Sequence, residues 1–120
     1  MPLKTLTADD LAQFIGSENW YQHSLVRSIT YTDGAKYVAD AGGAYWLLDE
    51  IALAQRFAPA VKAEPFQVWR LAVDSTQGVL TCDDGNDNVV YTKQIPFTDF
   101  PLPEIKLYFT DNVILLPSEY

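Results

Sequence analysis

A chain of 120 residues with an apolar fraction of 48% is long enough for one domain with a hydrophobic core and too apolar for a disordered acidic tail. Sixteen Asp and Glu against eight Lys and Arg leave a net charge of −8, which excludes direct nucleic-acid binding from the expected functions, because such binding needs bases to displace counterions from phosphates. A single cysteine forms no internal disulfide, and no apolar run approaches the roughly 18 residues that span a bilayer.

Residues 1–7 carry one lysine and no apolar run of signal-peptide length, so a cytoplasmic protein is expected. Thr7, three residues before Asp10, caps a short helix that carries Leu11, Phe14 and Ile15 and stops at Gly16. Residues 16–22 read as a polar connection holding Trp20 and Tyr21. The β-branched and aromatic run 28–32 reads as a short extended piece, and Asp33-Gly34 as a turn. A short helix follows over 35–40, and Gly42-Gly43 breaks it. The strongest helical period runs over 44–57, with Trp46, Leu47, Ile51, Ala54 and Ala58 near helical spacing and Pro59 ending it.

After Pro65 the period changes to two. Strands are expected over 66–73, 79–82, 89–93, 105–110 and 113–116, with turns at 74–78, 83–88 and 111–112. No helical spacer separates these strands, so their pairing is expected to be antiparallel. Pro96, Pro101 and Pro103 keep residues 96–103 out of any central strand. The expected fold is a single α+β domain over 1–120, in which N-terminal helices (about 1–60) pack on a C-terminal antiparallel sheet of about four to five strands (about 66–116). The last strand is four apolar residues without a charge, so it is either central or an edge that meets a second copy in a homodimer.

Four blocks together resemble a known family: Tyr31-Thr32-Asp33-Gly34, Gly42-Gly43-Ala44-Tyr45-Trp46-Leu47-Leu48-Asp49, Phe97-Thr98-Asp99-Phe100-Pro101-Leu102, and the run from Leu107 to Tyr120. These resemble small uncharacterised bacterial proteins, a domain of unknown function, found in cyanobacteria and other bacteria and often on mobile elements. The resemblance covers almost the whole chain. It implies a bacterial cytoplasmic protein and brings no activity, cofactor or catalytic residue; carriage on mobile elements makes an accessory or anti-defence role less remote.

The residues that carry chemistry are few. His23 lacks a local nucleophile and orienting acid, so it reads as a histidine hydrogen-bonded to backbone. Cys82 lies in a strand beside Asp83 and Asp84, which oppose thiolate formation, and reads as a buried structural thiol. Asp84, Asn86 and Asn88 alternate oxygen ligands as a calcium loop does, yet the glycine, the distal glutamate and the flanking helices of an EF-hand are missing; a hairpin turn is the better reading. Gly42-Gly43 lacks the preceding strand and the following lysine of a phosphate cradle. Asp40, Asp49 and Glu50 are the acids near an aromatic cluster, the minimum for a small carboxylate-based enzyme acting on a sugar.

That cluster, Trp20, Tyr21, Tyr31, Tyr37, Tyr45 and Trp46, divides between core and interface, and Trp20 and Tyr21 are least explained by packing. The expected function is a non-enzymatic acidic protein-binding or accessory domain with no cofactor and no metal. Its possible interface is Trp20, Tyr21 and His23 together with Asp83, Asp84 and Asp87. The alternative is a DNA-mimic inhibitor that presents carboxylates to a basic nucleic-acid-binding protein.

Overall fold

Thr7 and Asp10 close a reciprocal box: Asp10 N–H donates to Thr7 Oγ1 at 3.2 Å and Thr7 N–H to Asp10 Oδ2 at 3.0 Å. Two orphan donors of a helix start are thereby satisfied. The helix, α1 (Ala8–Ala12), is shorter than the run to Gly16 suggested. A computed structural model describes residues 6–120; residues 1–5, part of the N-terminal stretch read above, lie outside the described residues.

The remaining helices are α2 (Asp33–Gly42), α3 (Tyr45–Phe57) and α4 (Pro59–Lys62). Thr32 caps α2 by accepting from Ala35 N–H, so Asp33-Gly34 is the first turn of a helix and not a free turn. Helix starts and turns favour the same small polar residues, and the sequence does not separate them. Gly43 ends α2 in the left-handed conformation, φ 61°, where glycine is favoured. Pro59 both stops α3 and opens α4, since a helix's first turn needs no N–H from that position.

Among the described residues seven strands form one sheet: β1 (Trp20–Gln22), β2 (Thr30–Thr32), β3 (Phe66–Asp74), β4 (Gln77–Asp83), β5 (Val89–Ile95), β6 (Glu104–Thr110) and β7 (Val113–Leu115). Their spatial order is β1-β2-β7-β6-β3-β4-β5. The α+β class stands, but the expected arrangement does not. Helices interleave with strands, and two of the seven strands come from the N-terminal half. β1 was missed because three residues are too few to display a period of two, whereas β2 falls within the extended piece expected over 28–32. The five strands after Pro65 pair antiparallel as expected, whereas β2 joins β7 in parallel. That pairing makes β7 central, covered on both sides by β2 and β6, so it offers no edge to a second copy. The free edges are β1 and β5.

Alternation along the strands sorts the two faces. Gln67, Trp69 and Leu71 of β3, Leu80 and Cys82 of β4, and Ile105, Leu107 and Phe109 of β6 are buried in one core with Leu47, Leu48 and Ile51 of α3 and Val38 of α2. Phe100, in the proline-rich segment, is also buried there, against Gly42. Each such Leu or Ile contributes roughly 1.5–3 kcal/mol. The opposite face holds Phe66, Val68, Arg70, Lys106 and Tyr108, half-buried; Tyr120 packs on Phe66 and Tyr108 there, and Leu11 of α1 lines a cleft with Lys106. No helix among the described residues is long and apolar enough to cross a membrane.

Glu119, in a 3-10 turn (Pro117–Glu119), ties the two halves together. Its carboxylate accepts from Thr32 Oγ1 at 2.6 Å, Gly34 N–H at 3.0 Å and Leu116 N–H at 2.9 Å. It therefore sits at the positive end of α2, where negative charge is favoured. A side chain at position 34 would run into that carboxylate and into Leu116. Glu119→Ala is expected to lower unfolding stability by about 2 kcal/mol, and Gly34→Ala by a similar amount, both read as urea midpoints. Unchanged midpoints would remove Glu119 from this role.

Candidate functional site

The chain places the expected interface residues in two groups. Trp20 and Tyr21 stand on β1, the outer strand at one edge. Asp83, Asp84 and Asp87 sit at the β4–β5 hairpin near the other edge, five strand spacings or roughly 24 Å away. At that hairpin the carboxylates serve their own turn. Asp83 accepts from Gly85 N–H, and Asp84 from Asn86 N–H and the Asn88 amide. The Asn88 side chain, followed by the Asn86 N–H, holds Asp84 below the usual carboxylate range. The alternating oxygens noted in the sequence are thus a folded turn. Asp111 lies at the same end of the sheet, in the β6–β7 turn, and Asp99 in the 96–103 segment.

Around Tyr21 the aromatic cluster and the acids converge. Tyr21 stacks on Tyr31 across the β1–β2 pair, ring centroids 5.6 Å apart, and its hydroxyl donates to Asp33 Oδ1 at 2.9 Å. Asp33 also accepts from Glu18 N–H and Asn19 N–H, so one carboxylate fixes the approach to β1 and the first turn of α2. The Tyr21 hydroxyl is the main cause holding Asp33 below its ordinary value, and the same bond raises Tyr21 above its own.

One turn along α2, Lys36 places its ammonium 5.5 Å from the Tyr21 ring centroid and 2.6 Å from Asp40 Oδ2. Burial works against the Asp40 charge, but bonds from Lys36 and Tyr45 hold it below the usual carboxylate range. The bond to Asp40, followed by burial, pushes Tyr45 up to about 12. Next to this network Phe14, Ile15 and Tyr37 wall a cleft of about 430 Å³ whose rim carries Glu18, Asp33 and Asp40 against the single base Lys36. Ile15 is 84% exposed and Trp20 57%, more than packing accounts for. Sequence reading found Tyr21, Tyr37 and Asp40 but missed Lys36 and Asp33. The signal lay in Lys36 and Asp40 at i,i+4 on one helix face.

The other candidates are occupied. His23 is buried, 3% exposed, so it lies beneath the Trp20–Tyr21 surface. Its Nδ1 accepts from Leu25 N–H and Val26 N–H, which assigns the proton to Nε2, 2.9 Å from Asp49 Oδ1 on α3. Both ring nitrogens are engaged in pinning the β1–β2 loop to α3, and neither is open to a ligand. The three acids of a carboxylate site face different partners: Asp40 meets Lys36 and Tyr45, Asp49 meets His23, and Glu50 meets Lys93 at 2.6 Å. Gly42-Gly43 closes α2, so the element leading into it is a helix and not the strand of a phosphate cradle. Among the described residues no group of three or more His, Cys, Asp or Glu is placed to hold a metal ion.

A larger cavity, about 550 Å³, opens between Ile29, Phe109 and the end of α3. Its polar floor is Gln67, fully buried, whose amide exchanges two bonds with Gln55 at 2.7 and 2.9 Å and accepts from Trp69 Nε1 at 2.9 Å. Every polar atom of Gln67 is satisfied within the protein, as a buried amide requires. On the far face Arg70 Nε is buried without a hydrogen bond, yet Glu104 Oε2 lies 2.9 Å away. The distance neutralises the charge as an ion pair although the angle makes no hydrogen bond.

The model of a family of unknown function (DUF6876) matches residues 5–120. No curated protein and no solved structure matches the chain.

Two titrations check the local chemistry. Burial, then the Asp83 charge, pushes Cys82 up to about 12, so the native protein should resist thiol reagents at neutral pH and react only when urea unfolds it. Tyr45 is raised from 10 to about 12, so the folded state favours its protonated form. That stabilisation is complete below pH 10 and is lost as the pH rises toward about 12. Urea midpoints should therefore fall across that window, and less steeply in Tyr45→Phe; an equal slope would exclude Tyr45 as a source.

Proposed function

We propose that this chain, which belongs to the DUF6876 family of unknown function, is a protein-binding domain whose contact surface is the Tyr21 cleft, and that it takes a lysine or arginine of a basic partner segment. One observation carries the reading: the cleft already holds an ammonium. Lys36 lies against the Tyr21 ring and the Asp40 carboxylate, the two surroundings that attract a cation. An exposed i,i+4 pair such as Lys36–Asp40 is worth only about 0.3–0.5 kcal/mol, so its contribution to stability is small. Three acids against one base leave the cleft negative, and its aromatic walls suit the apolar stem of a long basic side chain.

Ile15 lines this cleft with exposed apolar surface, and the net charge of −8 steers a basic segment toward it. Hydroxyls and carboxylates engaged with one another are pre-organised and need little reordering on binding.

Calorimetric titration with short Lys- and Arg-containing peptides, and with the same peptides after lysine acetylation, tests this. Saturable binding is expected for the charged peptides alone. It should weaken about tenfold when salt rises from about 50 to about 300 mM, and also in Tyr21→Ala and Asp40→Asn. Equal binding of acetylated peptides, or none by any of them at low salt, would overturn the proposal.

A further inference from the structure

Among the described residues, four charged side chains that line the cavity of about 550 Å³ make no ion pair. Arg56 stands in the last turn of α3 and Lys62 in the last turn of α4, so the helix side of the cavity carries two of the chain's eight bases. Phe66 pairs with Thr110 in the β3–β6 register, which sets the entry to β3 beside the exit from β6. Glu64, shortly before Phe66, and Asp111, just after Thr110, therefore share the sheet side. Both bases stand at negative helix ends, which accounts for their place but not for the two acids left unpaired across the cavity from them.

The floor supplies shape and no hydrogen bonds, because the Gln67 amide is spent on Gln55, Trp69 and the carbonyls of Val61 and Glu64. Ile29 and Phe109 form an apolar wall beside it. The volume lies within the roughly 300–1,000 Å³ of small-molecule sites, which join apolar walls to a few placed polar groups.

The geometry points to a binding site for a free α-amino acid with an apolar side chain. Its carboxylate goes to Arg56 and Lys62, its ammonium to Glu64 and Asp111, and its side chain to the wall of Ile29 and Phe109. A simple anion would bring negative charge to the two carboxylates, and a simple cation would bring positive charge to the two bases. A neutral ligand would leave all four unanswered. Only a zwitterion meets both sides, and the planar guanidinium of Arg56 suits a carboxylate in particular. This cavity shares no lining residue with the Tyr21 cleft, and neither proposal depends on the other.

Calorimetric titration of the whole chain with leucine and phenylalanine tests it, beside N-acetyl-leucine, which lacks the ammonium, and leucinamide, which lacks the carboxylate. Saturable binding of the free amino acids is expected. Each blocked form should bind at least about tenfold more weakly, since it leaves one pair of charges unanswered. Arg56→Gln with Lys62→Gln should weaken leucine about tenfold without weakening leucinamide. Glu64→Gln with Asp111→Asn should weaken leucine without weakening N-acetyl-leucine, with circular dichroism confirming that each variant is folded. In NMR spectra the amide signals of Ile29 and Asn112 should shift on saturation, and those of Lys36 and Asp40 should not. No saturation by either amino acid at millimolar concentration would overturn the inference. So would equal affinity for the blocked forms, indifference to both double substitutions, or shifts confined to the surroundings of Lys36.

Discussion

The parallel pairing of β2 with β7 is the joint on which the molecule depends. Everything after Pro65 is a local antiparallel meander whose strands find each other through short turns. Residues 20–62 have no such route to the sheet. They enter it only where Thr30 and Tyr31 lie beside Val113 and Ile114, and Glu119 secures the joint by bonding Thr32 and Gly34. Once β2 is in place, its end caps α2, and α2 in turn presents Lys36 and Asp40 to Tyr21 on β1. The cleft is therefore built by a pairing remote from it in sequence.

This explains what was legible in the chain. The strands over 66–74, 77–83 and 104–110 are long enough for alternation to show, and the helix over 45–57 for a period near 3.6; these elements were readable from local pattern. β1 is three residues long and owes its existence to its neighbour, so no local pattern announces it, while β2 shows locally only as an extended piece without a place in the sheet. The last strand shows the same limit from another side. Four uncharged apolar residues fit a central strand or an exposed edge equally well, and only the arrival of β2 decides between them. At the site, tyrosines and Asp40 stood out by composition, whereas Asp33 was hidden in a dipeptide that reads as a turn. Lys36 looked like an ordinary surface lysine until Tyr21 was brought over it.

The acidity of the chain also acquires a distribution. At the β4–β5 hairpin two carboxylates are spent on turn geometry, which makes that loop a rigid feature and weakens its standing as a bare acidic surface. At the Tyr21 cleft the carboxylates are held ionised by hydroxyls and an ammonium beside aromatic rings. On the opposite sheet face Glu104 pairs with Arg70, and Lys106 stands beside Arg70 in the register. A single net charge thus covers three surfaces with different electrostatic character.

The β2–β7 pairing also governs the order of events in folding. Thr30 has to wait 83 residues for Val113, its partner in the register. A contact between residues so far apart closes a long loop before it gains any stabilisation, and chains dominated by such contacts fold slowly. During synthesis the meander's strands pair as they emerge, while β1 and β2 remain a short hairpin with no sheet to join. Two-stranded hairpins are marginal in water on their own. The aromatic residues that finally line the cleft are therefore among the last to be covered, and through that interval they are the surface on which a chaperone would act or an aggregate would start.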